Sequence, residues 1–77
     1  MTHYVLVRHS AYTTAADPAY EDALEPAPVS DAQIYRVRAA GGTLYPSRAE
    51  AEAAIPGATG HFANLRIGGA ELFVGAA

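Results

Sequence analysis

The stretch "HYVLVRHS" (His3 to Ser10) constrains this chain more than any other. Valine, tyrosine and leucine suit a pleated strand. Alternation then assigns His3, Val5, Val7 and His9 to one face, and Tyr4, Leu6, Arg8 and Ser10 to the other. Both faces are apolar in the middle, which is the pattern of a strand in the interior of a sheet.

That strand must find its neighbours within 77 residues, the size of a single small domain, taken as residues 1–77. A domain this small buries only about 60% of its unfolded surface. The chain has no cysteine, so disulfides and cysteine metal sites are excluded, and oligomerisation is the obvious remaining support. No run has the length of a membrane helix, and no basic-then-apolar leader opens the chain. With the missing cysteines, these features lead us to expect a cytoplasmic protein without a membrane partner.

Further strands and turns follow along the chain. "HFANLRI" and "AELFVGA" flank Gly68-Gly69, a two-residue hairpin signal. The hairpin register pairs Ile67 with Ala70, Arg66 with Glu71, Leu65 with Leu72, Ala63 with Val74 and Phe62 with Gly75. It gathers Ala63, Leu65, Ile67, Ala70, Leu72 and Val74 on one side, and leaves Phe62 and Phe73 on the other, to be covered by a second layer or a partner. Residues 47–55 read as a helix: Ser47 and Glu50 have capping-box spacing, alanines follow, and Pro56-Gly57 stops it. Its thin apolar side, Ala51, Ala54 and Ile55, lets it lie close to a sheet. Residues 32–46 fit two patterns. Ser30 and Gln33 would start a helix. Ile34, Tyr35 and Val37 favour a strand that turns at Gly41-Gly42, and the strand is the expectation. Asp17 before Pro18 starts a short helix or turn, and "EPAP" favours an extended path. The expected architecture is α+β: a mainly antiparallel sheet of about four strands, one short helix (about 47–55) on one face, and a C-terminal hairpin at Gly68-Gly69.

Charge is uneven. Asp17, Glu21, Asp22, Glu25 and Asp31 fall within fifteen residues with no base among them, while the rest of the chain holds three acids and five arginines. Such a segment repels nucleic acid and attracts basic protein surfaces. Arg36, Arg38 and Arg8 with Tyr35 and Tyr45 could form a basic stripe. In an acidic, lysine-free chain, however, counterion release is small, so direct nucleic-acid binding is not expected. His3 and His9 lie roughly 20 Å apart along one strand and cannot share a metal ion. Neither glycine pair has the spacing of a phosphate loop. No metal or cofactor is expected.

"LVRHS" resembles the motif of the histidine phosphatase family, in which an arginine-histidine pair ends the first strand and the histidine takes up a phosphoryl group. "PVS" (Pro28 to Ser30) is similar to the segment opening that family's first helix. "LYPSRAEAEAA" (Leu44 to Ala54) is similar to its strand–helix segment with a second arginine, which would make Arg48 the counterpart. The departures are Ser10 in place of a glycine, the mismatch at Tyr12 and Thr13, and the second half of that fold, for which 77 residues leave no room. Phosphoryl transfer needs several cations converging on one phosphate.

No set of residues supplies a nucleophile, a base and a charge stabiliser together, so the expectation is a non-enzymatic binding protein. In profile, though not in motif, the chain resembles small inhibitors from phages and mobile elements, the anti-CRISPR type included. That resemblance implies docking on a basic surface of a host nucleic-acid-handling complex through Asp17, Glu21, Asp22, Glu25 and Asp31, with Phe62 and Phe73 as further contacts. The alternatives are a homodimeric accessory domain with Phe62 and Phe73 across the two-fold axis, and a truncated histidine phosphatase-like protein.

Overall fold

The apolar centre of the first strand decides the layering. In a computed structural model, which describes residues 2–9 and 23–75, the elements run β1 (His3–Arg8), β2 (Leu24–Val29), α1 (Asp31–Ala39), α2 (Arg48–Ala53), β3 (Gly60–Ile67) and β4 (Ala70–Gly75). The strands form one antiparallel sheet in the order β2-β1-β4-β3. The expected α+β class is present, with β1 in the interior. Val5, Leu6 and Val7 are at most 4% exposed. Val5 and Val7 face a cluster with Val29, Val37, Ile67, Leu72 and Val74. Leu6 faces the opposite cluster with Leu24, Ala51 and Phe73. Val37 brings α1 to the first face, and Ala51 brings α2 to the second. Among the described residues the sheet therefore has a helix on each side, where one on a single face was expected.

Residues 31–39 are the clearest departure from expectation. They are helical, not a strand. The alternation of Arg36 and Arg38 with Tyr35 and Val37 suggested a period of two. The positions that matter for burial are instead Ile34, Val37 and Ala40, three apart, all packed into the first cluster. Gly41-Gly42 is no hairpin. The Gly41 N–H donates to the Arg38 carbonyl at 3.1 Å and the Gly42 N–H to the Val37 carbonyl at 2.9 Å, with Gly41 left-handed at φ +85°. This is a Schellman helix end, which satisfies two carbonyls of the last turn. The capping-box spacing of Ser30 and Gln33 did mark the helix start, although the Ser30 hydroxyl donates to Gln33 Oε1 and accepts no backbone N–H.

The fourth strand is supplied by "LEPAPV". The extended path expected for "EPAP" is a full edge strand paired with β1. Pro26 and Pro28 are tolerated because of their register. The His9 N–H donates to the Ala23 carbonyl, so hydrogen-bonded pairs recur at Glu25, Ala27 and Val29, and both proline nitrogens face away from β1. On the far side of β1, Tyr4 exchanges two 2.8 Å hydrogen bonds with Tyr45, while Val7 registers with Leu72 of β4.

The other local readings hold with one change. Ser47 caps α2, its hydroxyl accepting from the Glu50 N–H at 3.2 Å. Gly68 and Gly69 are both left-handed, at φ +59° and +84°, the backbone of a type I′ turn. Ile67 pairs with Ala70 and Arg66 with Glu71 as expected, but the register then shifts, so that Phe62 pairs with Phe73 and His61 with Val74. Phe62 does not lie opposite Gly75, nor Ala63 opposite Val74. The irregularity gives β3 two extra residues. An even number preserves which face each side chain takes, so Ala63, Leu65 and Ile67 still join the first cluster.

An added Cβ at Gly41 meets only an ordinary 3.6 Å contact with Val74, so its cost would be conformational. Gly41→Ala should lose about 1–2 kcal/mol, and Gly41→Asn clearly less. Urea denaturation checks this, and equal stability of all three chains would show that α1 does not end in a left-handed residue.

Candidate functional site

Alternation along β1 sends Arg8 and His9 to opposite faces of the sheet. Arg8 turns to the α2 side, where its Nε lies 3.0 Å from Glu71 Oε1. The approach is an ionic contact and not a directed hydrogen bond. Its guanidinium also sits 4.2 Å from the centre of the Phe62 ring, and Phe62 meets Phe73 edge-on at 5.6 Å. Arg8, half-buried, thus bridges β1 to both strands of the C-terminal hairpin. Glu71 was expected to pair with Arg66, its cross-strand neighbour, but its ion pair is with Arg8. Arg66 instead donates to the Gly69 carbonyl of its own turn at 3.0 Å.

His9 turns to the α1 side, with its Nε2 3.7 Å from Glu25 Oε2. Both side chains are 40% exposed, so the pair contributes little to stability. Arg48 stacks over Tyr4, 5.6 Å from the ring centre, near the other end of β1 and roughly 17 Å along the strand from His9. The three residues matching the phosphatase-like segments therefore point to separate places and do not converge on one phosphate.

The residues expected to bind a partner divide in three. Glu25 lies on edge strand β2 and Asp31 in the exposed first turn of α1, where a carboxylate also suits the helix dipole. Phe73 is 5% exposed and Phe62 half-buried. Their cover is the chain's own second layer, Ala51, Ala54, Ile55 and Ala58 among it. Phe73 is therefore not open to a partner. Asp17, Glu21 and Asp22 lie outside the described residues.

One feature was legible only as a discarded alternative. Tyr35 is 64% exposed, the largest open apolar side chain among the described residues, and Arg36 and Arg38 are exposed on the same helix. Arg36 Nε donates to the Tyr35 hydroxyl at 3.2 Å. That hydrogen bond, aided by the charge interaction with Tyr35, holds the guanidinium above its ordinary value. A cleft of about 280 Å³ opens where Tyr45 inserts beside β1, lined by Leu6, Thr43, Tyr45, Thr59 and Phe73 with glycine and alanine, and by no charged side chain. Among the described residues, no three His, Asp or Glu side chains gather as metal ligands. No helix among them is long and apolar enough to cross a membrane.

The architecture is that of a small α+β domain with one helix on each face of a four-stranded sheet. No family model, curated protein or solved structure matches the chain.

Arg8→Ala should cost about 1–2 kcal/mol, from the lost ion pair and cation–π contact together, and Arg8→Lys roughly half of that. His9→Ala should stay within about 0.5 kcal/mol of the parent chain. Chemical denaturation tests all three, and the reverse order would overturn this division of roles.

Proposed function

We propose that the protein is a non-enzymatic binding protein of the small inhibitor kind that phages and mobile elements direct against CRISPR-type complexes. It docks through its acidic segment on a basic surface that otherwise binds nucleic acid. The observation carrying this reading is how the charges are disposed among the described residues. Arg8 is committed to Glu71, Arg48 to Tyr4 and Arg66 to its own turn. Asp31 has no ion-pair partner among the described residues, and Glu25 has only a half-exposed histidine. Arg36 and Arg38 share α1 with Asp31, but Arg38 is two turns away, roughly 10 Å along the axis.

The carboxylates of Glu25 and Asp31 on the β2 side therefore form an acidic patch that makes no arginine ion pair among the described residues. In sequence it is continuous with Asp17, Glu21 and Asp22. A surface of this kind speeds encounter with a basic partner and suppresses acidic ones. Pro26 and Pro28 close the β2 edge to strand addition, so a partner must read it through side chains.

Titration of the chain into CRISPR-type complexes, with target-DNA binding followed by mobility shift, tests the reading. The expected result is inhibition that weakens with salt and falls at least about tenfold for the Glu25→Lys, Asp31→Lys double variant. Undiminished inhibition by that variant, or none by the parent chain, would overturn the proposal.

A further inference from the structure

The two edges of the sheet are finished differently. On β2, the proline nitrogens face outward and offer no donor to a further strand. β3 is eight residues long and contains no proline, lysine or acid, the usual devices that blunt an exposed edge. Its one charge, Arg66, is drawn back to the Gly69 carbonyl. Ala63 and Leu65 remain only half-buried, and among the described residues no strand lies beyond β3.

We infer that β3 pairs antiparallel with β3 of a second copy, about a two-fold axis at Asn64, joining the two sheets into one of eight strands. The register follows from the strand itself. With Asn64 opposite Asn64, Ala63 faces Leu65, a small residue against a large one. Phe62 faces Arg66, and no like charges are opposed. Each pairing recurs on the other side of the axis, as an isologous contact requires. The irregular stretch between Phe62 and Arg66 would ordinarily protect an edge by bending it. Here it is centred on Asn64, so two copies related at that point bend together, whereas a foreign strand would have to match the bend by chance. The dimer also gives a chain of this size the added burial that small domains need. It leaves both acidic β2 edges at the far ends of the joined sheet and does not depend on the function proposed for them.

Asn64 is exposed, so substitutions there leave the core untouched. Sedimentation equilibrium on the full chain from micromolar to near-millimolar concentration should give twice the monomer mass for the parent. N64K and N64E, each placing two like charges at the axis, should sediment as monomers with unchanged circular dichroism and at least a tenfold weaker self-association. An equimolar mixture of the two should recover the dimer mass. A monomeric parent across the range, an N64K chain that still dimerises, or a mixture that stays monomeric would each overturn the inference.

Discussion

Everything else in this structure follows from the need to keep Val5, Leu6 and Val7 out of water on both faces of one strand. Burying a side chain of this kind is worth roughly 1.5–3 kcal/mol. In a chain this small that is a large share of the net stability. The valines demand cover on one side and the leucine on the other, so one layer cannot suffice. Helix α1 meets the first demand through Val37, and α2 meets the second through Ala51, whose small side chain lets the helix come close. Neighbours are needed at both edges of β1 as well, and β2 and β4 supply them.

The same constraint shapes the surface. A strand fixed in the centre of a sheet has no freedom to turn Arg8 and His9 toward a common ligand, so the arginine becomes an internal brace for the hairpin and the histidine a companion of Glu25. Arg8, Arg48 and Arg66 are engaged within the fold. The carboxylates of Glu25 and Asp31 remain toward solvent, beside an edge that proline has closed. Charge, more than any cleft or ligand cluster, is what this side of the molecule presents.

The parts legible in the sequence were those with a local physical cause. The double-faced apolar triplet identified the central strand, the Ser47–Glu50 pair started α2, and Gly68-Gly69 closed the hairpin. Misreadings came where local preference and tertiary burial disagreed. Ile34, Tyr35 and Val37 favour a strand one by one, yet the three-residue spacing of Ile34, Val37 and Ala40 fits a helix docked on the sheet, and Gly41-Gly42 serves its end. β2 was obscured by its two prolines, acceptable only because the strand lies at an edge with their nitrogens outward. The shift in the hairpin left no trace, because two extra residues change the partners beyond it and no face. The acidic carboxylates at Glu25 and Asp31 could be read from charge alone. The burial of Phe73 could not, since it depends on a helix twenty residues earlier in the chain.

Native-state hydrogen exchange on β1 tests the central claim most directly. In an interior strand, amides pointing in both directions are bonded: those of Val5 and Val7 lie in pairs with β2, and that of Tyr4 donates the other way to the Tyr45 carbonyl at 2.8 Å. All three should therefore be strongly protected and exchange slowly together. An alternating pattern, with Tyr4 exchanging far faster than Val5 and Val7, would place β1 at an edge and contradict the account.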